Sequence, residues 1–147
     1  MDRDAAQQFA TACAQDWNDH DLDRIMRHFA EDVVFRSPVA AQLLDACDGT
    51  VRGKDALRAY FAEGLRRIPH LYFEVLEVYT GIDTVVINYR NQAVQLVNEV
   101  LSFDGGLVIA GHGTYGPAAG LSNTSGLPRL SWSPASVRTY VRLSLRG

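Results

Sequence analysis

After Pro69 the hydrophobic rhythm of this chain changes from the period of a helix to the period of two, and the new rhythm holds as far as Tyr115. Before the change, residues 3–18 place Phe9, Ala10, Cys13 and Trp17 on one helical stripe, and residues 54–68 do the same with Leu57, Tyr60, Phe61, Leu65 and Ile68 until Pro69 ends the helix. After it, residues 71–79, 84–91, 94–103 and 107–115 alternate as strands. Gly81-Ile82-Asp83, Asn91-Gln92-Ala93 and Asp104-Gly105-Gly106 separate them, connections so short that neighbouring strands must run antiparallel. Helices first and a meander afterwards predict an α+β fold. The expected architecture is a strongly curved, mostly antiparallel sheet with three N-terminal helices packed in its concave face, enclosing a pocket.

The segment between the first and last of those helices supplies the rest of the frame. Asp21 is positioned to cap a short helix in which Leu22, Ile25, Met26 and Phe29 face inward. Val33-Val34-Phe35 then reads as a strand halted by Pro38. Residues 39–52 read as a loop or partly helical lid, ending at Gly49 and Gly53.

Charge and cysteine usage narrow the classes of function. Residues 1–116 hold ten Lys/Arg against seventeen Asp/Glu, a net of −7, which argues against nucleic acid as a partner. No apolar run reaches the ~20 residues that span a bilayer, and the leading MDRDAAQQ lacks the apolar core of a secretory signal. Cys13 and Cys47 stand alone, with no second pair to signal a disulfide framework or a zinc site. A cytoplasmic protein without a metal or cofactor is expected. Residues 117–147 differ from the body: they carry Arg129, Arg138, Arg142 and Arg146, no acid, and a run rich in Gly, Ser and Pro. The chain therefore divides into a domain over 1–116 and a basic extension over 117–147, which either folds back over the sheet or a partner subunit or stays disordered.

Glu99 is the residue on which chemistry would centre. It lies in VQLVNEVLSF, a strand otherwise almost free of charge, and alternation puts it on one face with Val97, Leu101 and Phe103. A carboxyl there loses hydration, which disfavours its charged form and raises its pKa toward the range of a general acid working near neutrality. Tyr89 shares the inward side with Val85 and Ile87, and its hydroxyl needs a partner that a ligand could supply.

Whether His112 joins Glu99 depends on the last hairpin. A two-residue turn of Gly105 and Gly106 sets Glu99 opposite His112, whereas a three-residue Asp104-Gly105-Gly106 loop with a glycine bulge sets it opposite Gly111. The second register is favoured, because the bulkier face of Leu107, Ile109, Gly111, Gly113 and Tyr115 then points inward. Its glycines would leave room for a ligand, and His112 would turn outward. The first register keeps His112 as a second catalytic candidate, since one residue of slip reverses every side chain.

Trp17 with Asp21, the run from Phe29 to Phe35, GKDALRAYFAEGL from Gly53 to Leu65, Phe73-Glu74 and the closing Tyr115-Gly116 together resemble the nuclear transport factor 2-like superfamily, which includes ketosteroid isomerases and SnoaL-like polyketide cyclases. The resemblance covers roughly residues 5–116. It implies a cone-shaped α+β barrel, a buried pocket for a small apolar or aromatic molecule, and a homodimer formed through the outer face of the sheet. It also places Glu99 where the isomerases keep the acid that stabilises a dienolate oxygen. Two parts of that machinery differ: Ser37-Pro38 stands where those enzymes carry Asp-Pro, and Cys13 where they carry a tyrosine. A serine without a strong neighbouring base cannot abstract a C–H proton, so steroid isomerisation by that route is not expected.

The pocket is accordingly expected to be lined by Cys13, Trp17, Phe35, Ser37, Tyr60, Tyr89, Leu101, Gly111 and Gly113, around Glu99 and, in the first register, His112. A cofactor-independent isomerase, cyclase or hydratase and a non-catalytic binding or dimeric interaction module are both compatible with it. Gly111 to Gly116 also spells G-x-G-x-x-G, but Pro117 and Gly120 follow and no acid occurs after Asp104, so it is not a dinucleotide fingerprint.

Overall fold

A computed structural model describes residues 1–45 and 47–118. Four helices, α1 (Arg3–Asn18), α2 (Leu22–Met26), α3 (Pro38–Leu43) and α4 (Lys54–Arg67), accompany six strands. These are β1 (Phe29–Arg36), β2 (Thr50–Arg52), β3 (Glu74–Thr80), β4 (Thr84–Arg90), β5 (Gln95–Asp104) and β6 (Leu107–Ala118). They form one sheet in the order β2-β1-β6-β5-β4-β3, antiparallel throughout except where β1 runs parallel to β6. None of the described helices is long and apolar enough to cross a membrane. The basic extension lies outside the described residues beyond Ala118, and β6 itself runs two residues past Gly116.

Local chemistry explains each helix boundary. The Asp2 side chain caps α1 by accepting from the Ala5 N–H at 2.7 Å, and Asp21 caps α2 by accepting from the Arg24 N–H at 3.1 Å. Helix α1 stops at Asn18, whose amide turns away to grip the start of β3. It donates to the Phe73 carbonyl at 2.9 Å and accepts from the Phe73 N–H at 2.7 Å. His20, in the left-handed region at φ 55°, bonds the Leu71 carbonyl beside it. The two helices and β1 are further tied at Asp16, a buried carboxylate held by Arg24 at 2.6 Å and by His28 at 2.7 Å. The Trp17-to-Asp21 segment thus sets the angle at which α1 crosses the sheet.

The loop or partly helical lid expected over residues 39–52 contains a helix near its start and a strand at its end. Ser37 caps a six-residue helix at Pro38, and Thr50–Arg52 add a short antiparallel edge to β1. Strand β1 begins four residues before Val33, at Phe29, so that Phe29, Val33 and Phe35 are all buried in the cone.

The hairpin between β5 and β6 follows neither of the two expected registers. Gly105 and Gly106 form the tight turn alone, with φ of 57° and 81°, as a two-residue type I′ connection requires. Asp104 pairs Leu107 and Phe103 pairs Val108, but Ser102 then pairs Ala110, leaving Ile109 as the extra residue of a β-bulge. Beyond the bulge Glu99 pairs Gly113 and Leu101 pairs Gly111. Two-residue turn and bulge therefore coexist, and the bulge flips the face midway along the strand. Val108 is fully buried near the tip, whereas Leu107 and Ile109, expected inside, are exposed. Past the bulge Gly111 and Gly113 are the inward pair and His112 points outward.

Candidate functional site

The concave face of the sheet and helices α1 and α4 enclose a cavity of about 100 Å³. That is the order of size at which an apolar protein cavity accommodates a single ring. Its wall is a belt of aromatic rings in contact. Trp17 meets Phe61 at 4.7 Å and Phe73 at 5.4 Å between centroids, Phe73 meets Tyr89 at 4.3 Å, and Phe35 meets Phe61 at 5.6 Å. Glu99, the single carboxylate of the lining among the described residues, projects from β5 among these rings.

Strand alternation puts Glu99 there: Ile87 and Gly113 flank it on the neighbouring strands, and Val97 and Leu101 are buried on its own. Its Oε1 accepts from the Tyr89 hydroxyl at 3.1 Å, while Oε2 is buried and has no hydrogen-bond partner among the described residues. Loss of hydration pushes the Glu99 carboxyl up to about 7, against a smaller downward pull from Tyr89. Near neutrality the group therefore exists in both protonation states, and a proton on Oε2 has no protein acceptor.

Two further polar groups of the wall, Cys13 and Tyr60, resist ionisation. Burial pushes the Cys13 thiol up to about 12, reinforced by the negative charges of Glu99 and Asp16, so it is a small apolar wall element rather than a nucleophile. Burial likewise holds the Tyr60 phenol well above its ordinary range, with Tyr115 adding to the effect. Tyr60 donates to the Ser37 hydroxyl at 3.3 Å.

Six of the residues expected at the pocket do line it: Cys13, Trp17, Phe35, Tyr60, Tyr89 and Leu101, around Glu99. Four do not. Ser37 Oγ faces the Val39 N–H as the cap of α3, and Ser37 belongs to a shallow outer groove that also includes His112 and Gly113. His112 is exposed on that outer face beside Arg36, its partner in β1, and cannot reach Glu99. Gly111 and Gly113 face inward as expected, but their space is already taken. A Cβ on Gly111 would lie 2.5 Å from the Phe35 ring, and one on Gly113 would lie 3.3 Å from Ser37 Oγ and 3.4 Å from the Tyr115 ring. The glycines make room for protein rings, not for a ligand.

Two polar lining residues stand outside the set expected at the pocket: Tyr115, already placed on the inward face of β6, and Gln92. Tyr115 was legible, since it lies on the inward face of β6 in either bulged register. Gln92 carried no signal beyond its place in a turn, where a glutamine is ordinarily solvated. Among the described residues no group of three or more His, Cys, Asp or Glu side chains could hold a metal ion. The G-x-G-x-x-G run lies wholly within β6, so no phosphate-binding turn is formed by it.

A family profile described as SnoaL-like domain matches residues 9–116. Among solved structures, a SnoaL-like protein of unknown function from Burkholderia thailandensis is 36% identical, with 79% of this chain and 98% of that one covered and a TM-score of 0.74. More distant structures share the fold. AclR from Streptomyces galilaeus, described as a proposed hydroxylase, is 19% identical, with 78% and 91% of the chains covered and a TM-score of 0.62. TerC, crystallised with polyporic acid, is 13% identical, with 76% and 92% covered and a TM-score of 0.62. Comparison with proteins of curated function gives no match.

Proposed function

The chain belongs to the SnoaL-like family, and we propose that it is a cofactor-independent enzyme that moves a proton on a small cyclic carbonyl compound, with Glu99 as its acid and base. The observation that carries this reading is the Glu99 carboxyl, poised at about 7 in an apolar cavity with Oε2 unpartnered. An ionised Glu99 removes an acidic C–H proton flanked by carbonyls, and the resulting neutral carboxyl returns it to another atom of the same molecule. One group performs both steps because its pKa lies near the working pH, where neither protonation state is scarce. Among the described residues no second carboxylate lines the cavity, and Ser37 is committed to capping α3. The substrate must therefore be acidic enough for a single carboxylate. Tyr89 steadies Oε1 throughout, leaving Oε2 as the oxygen that carries the proton.

Isomerisation, ring closure by an enolate, and addition or loss of water all begin with this step. The test is deuterium uptake from D2O into a ring-sized 1,3-dicarbonyl such as 2-acetylcyclopentanone, followed by NMR. Uptake above the buffer rate, rising with pH through about 7 as Glu99 ionises, is the expected result. Binding of the probe without any acceleration would instead favour a ligand-binding module that uses the same cavity.

We also propose a homodimer through the outer face of the sheet. Val86 and Val100 are half-buried there beside polar Asn98, His112 and Thr114, a mixed surface of the kind that pairs with a second copy. Val100→Glu, at the middle of that face, is expected to convert dimers to monomers in light scattering after gel filtration while the fold persists. A wild-type protein that elutes as a monomer at tens of micromolar would sink the idea.

A further inference from the structure

The β4–β5 turn holds an unusual concentration of unsatisfied polarity. Five buried side-chain polar atoms lack a hydrogen-bond partner among the described residues: Arg90 Nε, Asn91 Nδ2, Gln92 Oε1, Gln95 Oε1 and Glu99 Oε2. A buried acceptor left unmade costs the fold free energy, so native proteins keep few of them and each calls for a cause. Of these five, two belong to residues that line the cavity, Gln92 and Glu99.

The turn that carries Gln92 is rigidly built. Asn91 is buried and its Oδ1 accepts from the N–H groups of both Ala93 and Gln95, each at 3.0 Å. The Val94 N–H donates to the Asn91 carbonyl at 2.9 Å, and the Asn91 N–H to the Gln95 carbonyl at 2.9 Å. Val94 is held at φ 60°, a left-handed conformation that a β-branched residue adopts only under strain. Strain of this kind persists where the surrounding structure fixes it, and here it fixes the position from which Gln92 reaches the cavity.

We propose that Gln92 is a ligand-binding residue whose side-chain carbonyl accepts a hydrogen bond from a hydroxyl or amino group of the bound molecule, while Glu99 meets a carbonyl at the molecule's other end. The ligand class follows from the spacing. Along the β4–β5 wall Glu99 and the turn are separated by the pairs Asn88–Asn98, Tyr89–Val97 and Arg90–Leu96, roughly 13 Å of strand. Allowing for the reach of two long side chains, a single flat ring with polar groups at opposite ends spans what remains, against the aromatic belt of the cavity wall. A purely apolar molecule of the same size would leave Gln92 Oε1 unsatisfied, so the site discriminates against it. This inference rests on the cavity being a ligand site, as the proposed function requires, but not on catalysis.

The test is calorimetric titration of the full-length protein at about pH 6, where Glu99 is mostly protonated. The probes are 4-hydroxybenzaldehyde, benzaldehyde and toluene. Wild-type protein is expected to bind 4-hydroxybenzaldehyde about tenfold more tightly than benzaldehyde, the usual effect of satisfying one buried acceptor. Gln92→Leu is expected to abolish that preference while binding benzaldehyde at least as well as wild type. Equal affinity of wild-type protein for the two aldehydes overturns the role of Gln92 without touching the Glu99 reading, and needs no variant to fold. A preference that survives Gln92→Leu, in protein whose melting temperature is unchanged, overturns it as well. If none of the three probes binds, the cavity is not a ligand site and both proposals fall together.

Discussion

Replacing Glu99 with glutamine is expected to make this protein more stable above pH 7 and, in the same stroke, to abolish proton transfer. The carboxyl titrates at about 7 in the fold instead of the ordinary 4.5. Between those values the folded protein still holds a proton that the unfolded chain has released. Stability from this group is therefore fully present below about pH 4.5, declines as pH rises through the window, and is gone above about 7. Ionising a carboxyl so displaced costs the fold on the order of 3 kcal/mol. Glutamine stays neutral and keeps the shape, so Glu99→Gln should match wild type near pH 4.5 and exceed it by about 2–3 kcal/mol at pH 8. Urea unfolding at the two values measures the difference. The carboxylates held low in the fold, Glu63 at about 2 and Asp48 below its usual range, titrate beneath this window and do not obscure it. An amide cannot carry the proton, so deuterium uptake should fall by about 10²–10⁴-fold with probe affinity little changed. Identical pH dependence in the two proteins would mean that water reaches Glu99 and that its poise, and the proposed chemistry with it, is lost.

Gly111→Ala is expected to be the most damaging single-carbon addition in the sheet. Alanine is normally the better strand residue, since glycine gives up more backbone freedom on folding. Gly111 is not among the glycines with positive φ, so its backbone does not demand glycine. The obstacle is steric: the added carbon would sit 2.5 and 2.6 Å from two atoms of the Phe35 ring and 3.2 Å from Leu101 Cδ2. Phe35 cannot retreat, because Phe29, Tyr60 and Phe61 close around it with centroids 6.5, 6.3 and 5.6 Å away. Overpacking of this kind costs about 1–3 kcal/mol, and the pinned ring puts this site at the upper end. Phe35→Leu removes the two clashing ring atoms, so the double variant should lose less than the sum of the two single losses in a thermodynamic cycle. Additive losses would show that some other contact limits position 111.

These two positions also mark how far the sequence could be read. Glu99 was legible because its strand is so apolar that a lone carboxylate on the buried face has few alternatives. The helix and strand order was legible from the period change at Pro69, and the cap at Asp21 and the strand stop at Pro38 from residue chemistry alone. Gly111 was placed on the correct face but for the wrong purpose. Pattern shows where a side chain is missing, and only packing shows that Phe35 fills the gap. Strand β2 was hidden because three residues cannot display a period. Gln92 was hidden because nothing local distinguishes a turn glutamine in water from one whose carbonyl is buried.

The bulge at Ile109 has an evolutionary side. Its extra residue is what sets Gly113, rather than His112, opposite Glu99 and keeps His112 on the outside. Regular pairing of the same residues from the Gly105-Gly106 turn onward, with no bulge, would set His112 opposite Glu99 and swing its imidazole toward the interior. One step of register thus separates this cavity from one with an imidazole beside Glu99, and the polar lining of such a cone can change without a substitution in its pocket.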